Sequence, residues 1–145
     1  MADAYAVITP AGELSWYPLE RVRDVEAMVG GPVAPGALAT VTVSNTRGRG
    51  PLKCLASDIG ALFPTDYPIN PVAGLVLIAL SQGRLDQAWH GSVALVEYEA
   101  DPGTGEVLWP GEMSPPWVDV VNALVRRVHG MLGREDAEHG DTPRA

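Results

Sequence analysis

Cysteine and lysine are nearly absent from this chain of 145 residues: each occurs once, as Cys54 and Lys53. A single thiol forms no internal disulfide and suits a reducing compartment, so a cytoplasmic protein is expected. Positive charge is also scarce. Ten Lys and Arg stand against 18 Asp and Glu, for a net charge of −8 and a pI near 4.7. That field repels nucleic acid and anionic membrane unless a local basic patch reverses it. No apolar run approaches the roughly 20 residues that cross a bilayer. The opening MADAYAVITPAGELSWYPLE has no basic region leading into an apolar stretch, which argues against a secretory signal. The three histidines, His90, His129 and His139, are scattered along the chain, so neither a metal site nor a cofactor is expected.

What is present is a globular composition, 46% hydrophobic and 19% charged. The length fits one domain able to bury a core without a metal or disulfide. Arginine far outnumbers lysine, and alanine, glycine, proline and valine are plentiful, as in coding sequences of GC-rich bacteria and their phages.

The order of elements follows from local patterning. AYAVITP and ELSWYP, joined at Ala11-Gly12, predict an N-terminal hairpin. Leu19, Val22, Val25, Met28 and Val29 recur at helical spacing and stop at Gly30-Gly31-Pro32. ALATVTVS predicts a strand. LKCLASDIGALFP is ambiguous between strand and helical turn. Asn70 and Pro71 open a helix that runs to Leu80 with almost nothing polar in it, although a buried strand fits that composition too. Gly74 within it suggests a close approach of another backbone. WHGSVALVEYE is a strand, with Val93, Leu95 and Glu97 on one face and Ala94, Val96 and Tyr98 on the other. EVLWP pairs back across the ADPGTG turn. After Ser114, which can cap, Trp117, Val120, Val121, Leu124, Val125, Val128 and Met131 line one face of a last helix that Gly130 and Gly133 are expected to stop. The expectation is an α+β fold: a mixed or mainly antiparallel sheet with about three helices packed on it, as a single domain over 1–133. Residues 134–145 are expected as a disordered acidic tail.

VGG at Val29–Gly31, NPVA at Asn70–Ala73, Asp86, and GSV at Gly91–Val93 resemble the signature of a small uncharacterised domain family found in phage and mobile-element proteins. Its members open with a hairpin and a helix ending in Gly-Gly, then carry an Asn-x-x-Ala helix start, an acidic residue and a Gly-x-Val strand entry. The resemblance covers roughly residues 4 to 99. It implies a fold and an origin and brings no established activity. The loop NTRGRGPLKC is longer than the pattern requires, and the last helix lies beyond it.

Four groups of residues are candidates for function. Arg47, Arg49 and Lys53 flank two glycines, a composition that can wrap an anion; a solvated hairpin loop is the simpler account. The loop matches neither the Walker pattern nor Gly-x-Gly-x-x-Gly. Cys54 can be a nucleophile if a histidine lowers its pKa, with a small buried thiol as the alternative. Glu97, Glu99, Asp101, Glu106 and Glu112 form the densest acidic region, readable as an acid/base pair or as a solvated sheet edge. Trp109, Met113 and Trp117 flank a proline-rich connector and are candidates for binding a partner or for pinning the last helix. Ser57-Asp58 and Ser92 lack the context of a catalytic triad.

The expected function is a non-enzymatic accessory protein of phage or mobile-element origin that acts through protein contacts with an unidentified partner. Self-association through the apolar face of the last helix is one form this can take. The alternatives are an acidic nucleic-acid mimic that inhibits a DNA-binding enzyme, and a small hydrolase or anion-binding protein.

Overall fold

A computed structural model describes residues 3–44 and 50–144. Among them, six strands form one sheet, and every pairing is antiparallel. β1 (Asp3–Ile8) and β2 (Leu14–Pro18) make the first hairpin, and a 3-10 turn (Leu19–Arg21) leads into α1 (Val22–Gly30). β3 (Leu38–Ser44) and β4 (Leu52–Ser57) form the second hairpin, followed by a 3-10 turn at Gly60–Leu62 and by α2 (Pro71–Leu80). β5 (Val93–Ala100) and β6 (Val107–Gly111) form the third, and α3 (Pro115–Arg144) closes the chain. The fold is α+β. The strand order is β2-β1-β5-β4-β3, with β6 also paired to β5.

β5 is central because it can be apolar on both faces. Val93 and Leu95 pack with α2 and α3, together with Ala6, Ile8, Leu52 and Cys54. Ala94 and Val96 pack with Val25 and Val29 of α1 on the opposite face. A strand buried on both sides loses the polar alternation of a half-exposed one, which is why SVALV reads as a continuous apolar run. The sheet is thus a middle layer between one short helix and two longer ones.

α2 forms as a helix because Asn70 caps it and Pro71 supplies the fixed φ of a first turn. The Asn70 side chain accepts from the Ala73 N–H at 3.1 Å. The ambiguous LKCLASDIGALFP resolves into both of its readings, β4 and then the 3-10 turn. No backbone crowds Gly74. The nearest atom to a Cβ placed there is Cδ1 of Trp89 at 3.9 Å, an ordinary contact.

α3 corrects several expectations. It runs through Gly130 and Gly133 to Arg144, so neither glycine stops it, and 134–144 lie within the helix. Both residues keep ordinary helical backbone, and a Cβ at either would meet nothing; a glycine in open space weakens a helix without ending it. Trp117, Val121, Val125 and Val128 are buried against the sheet. Those four side chains are covered by the chain itself, whereas Val120 and Leu124 of the same expected face are half-buried and Met131 is 47% exposed. Met113 (6% exposed) and Trp117 (1%) are core residues, so the partner-binding reading fails for both. Only Trp109, at 56%, faces outward.

Glu97 is the other reversal. A solvated edge was the simpler expectation, yet it is 0% exposed. Its Oε1 accepts from the N–H of Ser114 at 2.6 Å and from the Ser114 hydroxyl at 2.7 Å. Ser114 occupies the cap position, since its carbonyl accepts from Trp117 and Val118, but its hydroxyl serves the carboxylate instead of the helix. A carboxylate at a helix N-terminus is favoured by the unpaired N–H groups there. Glu97 thereby locks α3 to the central strand. Ser114→Ala removes one of these bonds and is expected to lower stability by about 1–2 kcal/mol, measured by urea denaturation, with no change in secondary structure.

Candidate functional site

Gly30, Gly31, Ala73 and Gly91 meet around two buried side chains, Tyr67 (1% exposed) and Asn70 (1%). The Tyr67 hydroxyl donates to the Gly30 carbonyl at 2.6 Å and accepts from the N–H groups of Val33 and Ala34. Gly31 has φ +70°, and a Cβ there would lie 2.4 Å from the Tyr67 ring, so both conformation and space demand glycine. The Asn70 amide donates to the carbonyls of Ile8 and Gly91, each at 2.9 Å. Gly91 has φ +81°, and its N–H reaches the Pro68 carbonyl at 2.7 Å. Gly30-Gly31, Asn70-x-x-Ala73 and Gly91 are therefore parts of one scaffold that ties α1, β1, α2 and the entry of β5 together. Asp86 lies outside it and is exposed.

The scaffold fixes the segment 58–70 at its end and aims what lies beside it. The Nδ1 of His90 is 3.1 Å from the Tyr67 carbonyl. A carbonyl only accepts, so Nδ1 carries the proton and Nε2 is the acceptor of the neutral ring. His90 also pairs with Ile69 in an isolated β-bridge. Next to it lies a cavity of about 210 Å³ whose wall includes Ser57, Asp58, Ala61, Gln87, Trp89 and His90. The Trp89 indole N–H is a buried donor without a hydrogen-bond partner among the described residues. On the same segment, three large apolar side chains face solvent: Leu62 (75% exposed), Phe63 (40%) and Ile69 (57%).

This arrangement is equipped to bind. Ser57 Oγ accepts from the Ile59 N–H at 3.3 Å, as in a local turn. Cys54 is 0% exposed in the core under α2, and it lines none of the four cavities described here. Burial pushes its thiol up to about 12, the reverse of an activated nucleophile. Tyr5 is likewise pushed up to about 12, chiefly by burial and further by Tyr98 and Glu26. Among the described residues, no group of three or more His, Cys, Asp or Glu is placed to hold a metal ion. Nor is any helix among them long and apolar enough to cross a membrane.

The basic candidates separate. Arg47 and Arg49 lie outside the described residues. Lys53 sits on β4 with its ammonium 4.8 Å from the centre of the Tyr98 ring, an ordinary cation–π contact, at the edge of a cavity of about 350 Å³ lined also by Thr42 and Pro51. The sequence reading missed Leu62, Phe63 and Ile69. The available signal was a stretch of turn-forming residues, DIGALFPTDYPIN, that keeps large apolar side chains where no regular element can bury them. Comparison with protein-family models, with curated proteins and with solved structures found no match.

Asn70→Ala removes three bonds of the scaffold and is expected to cost roughly 3 kcal/mol by denaturant unfolding, at about 1 kcal/mol per bond. A second prediction concerns alkali. Because Cys54 and Tyr5 hold their protons more tightly when folded, the unfolded chain releases protons first once the pH passes 9. Stability is expected to be flat with respect to these groups below pH 9 and to fall between pH 9 and 12, by at most about 1.4 kcal/mol per unit per group. Cys54→Ala should flatten the onset in pH-dependent thermal melts.

Proposed function

We propose that the protein is a non-enzymatic accessory factor of phage or mobile-element type that works by binding another protein through the 58–70 segment. The observation that carries this reading is the exposure of Leu62, Phe63 and Ile69 on one braced segment beside a cavity whose wall mixes Ser57, Asp58, Gln87 and His90 with alanine, valine and Trp89. Isolated exposed apolar residues are common on protein surfaces; three large ones on a short segment anchored by a buried tyrosine and asparagine are not. An apolar centre with a polar border is the usual anatomy of an interface core and rim. Preorganisation also favours binding, because little conformational entropy remains to be lost in a segment already held by Tyr67 and Asn70.

Binding without turnover accords with the chemistry of the candidate nucleophile and acid pair. The Cys54 thiol is buried and held protonated, and Glu97 is engaged with Ser114. The origin assigned here rests on the composition and on the Gly-Gly, Asn-x-x-Ala and Gly-x-Val resemblance.

The test is affinity capture from the native host with the wild-type chain and with Leu62→Ser/Phe63→Ser/Ile69→Ser. These side chains are exposed, so the triple variant is expected to keep its thermal midpoint. It is expected to lose the co-purifying partner by at least tenfold, in keeping with the weight that a few apolar anchors carry in interfaces. Equal recovery by both proteins would reject the 58–70 segment as the contact surface.

A further inference from the structure

The apolar segment is bordered by charge of one sign. Between Cys54 and Val125 the sequence holds a single base, Arg84. Its guanidinium is taken up by the carbonyls of Thr42 and Val43 on the edge strand, both at 2.8 Å. Aspartates lie on the segment that carries Leu62, Phe63 and Ile69 and next to the cavity beside it. Asp66 donates its N–H to the Phe63 carbonyl and so closes the turn that presents Phe63. Asp58 lines the cavity together with Ala61 and His90, and Asp86 directly precedes Gln87, which also lines it. All three are exposed. Ionised carboxylates only accept hydrogen bonds. The surface therefore offers apolar contact from Leu62, Phe63 and Ile69 and carboxylate acceptors from the aspartates.

Building on the contact surface proposed above, we infer that its occupant is a basic amphipathic segment of a partner protein, one that sets aliphatic side chains against Leu62, Phe63 and Ile69 and Lys or Arg against Asp58, Asp66 and Asp86. Charge complementarity selects this partner over a neutral or acidic one. A like-charged segment would be repelled both by the three aspartates and by the net charge of −8. Arginine or lysine from the partner supplies cationic donors to these carboxylates. Apolar burial holds the complex together, and the aspartates set its orientation and speed its formation, so that association slows as salt rises.

The probe is a fluorescently labelled 14-residue peptide of leucine and lysine at amphipathic-helical spacing, with a second peptide in which glutamate replaces every lysine. Anisotropy titrations at about 150 mM salt, where the screening length is ~8 Å, suppress long-range attraction. The lysine peptide is expected to bind at least tenfold more tightly than the glutamate peptide. Asp58→Asn/Asp66→Asn/Asp86→Asn is expected to weaken it at least tenfold. Glu13→Gln/Glu20→Gln/Glu106→Gln removes the same charge from exposed positions elsewhere and is expected to leave the affinity within about twofold, because exposed charges beyond a screening length contribute little. Equal binding of the two peptides, or equal losses in the two triple variants, would overturn the inference. Two failures can be told apart with the captured native partner. If its binding needs Leu62, Phe63 and Ile69 but survives neutralisation of the aspartates, the basic chemistry is wrong and the surface stands. If it ignores the apolar substitutions, the surface itself is wrong and the inference goes with it.

Discussion

The side chain of Asn70 is the constraint on which the rest of the structure depends. A buried amide left unpaired is costly, so it must find all its partners at once. Here it accepts from the first turn of α2 and donates to Ile8, where β1 ends, and to Gly91, where the chain turns into β5. These bonds form together only when two strands and a helix stand in one relative placement. Tyr67, three residues earlier, extends the same logic to the end of α1 through the Gly30 carbonyl. One short segment thus fixes the positions of elements that are distant in sequence.

That bracing decides what the segment can present. Two of its polar side chains, Tyr67 and Asn70, are buried and bonded, while its large apolar ones, Leu62, Phe63 and Ile69, are left outside. Tyr67 and Trp89 are buried, whereas Leu62, Phe63 and Ile69 remain in contact with solvent. The polarity is inverted relative to an ordinary core, and the inversion is held in place by hydrogen bonds. Glu97 plays a comparable part elsewhere: a buried carboxylate placed against the first N–H of a helix joins α3 to the central strand. In both places a residue type associated with chemistry serves to position backbone.

Much of the fold was legible because it rests on local patterning. The first and third hairpins and the helices follow from alternation, helical spacing and turn residues, all short-range signals, whereas LKCLASDIGALFP left the return strand of the second hairpin open. The end of α3 was not, since glycine lowers helix stability without forbidding it. The site was barely legible. Trp109, Met113 and Trp117 look alike as aromatic or sulfur-bearing residues near prolines, yet two are interior and one is exposed. Leu62, Phe63 and Ile69 look like core residues by type and are surface by position.

The sequence alone determined the class of fold, the strongly acidic balance, and the lack of a second cysteine to pair with Cys54. Composition and spacing act through neighbours along the chain, and those properties need nothing more. Only the tertiary structure decided that Glu97 is a buried anchor, that Trp117, Val121, Val125 and Val128 of the last helix are covered by the chain itself, and that Leu62, Phe63 and Ile69 of the 58–70 segment face outward. Each depends on which residues from distant parts of the chain fill the space around a side chain, and burial is a property of that surrounding and not of the residue.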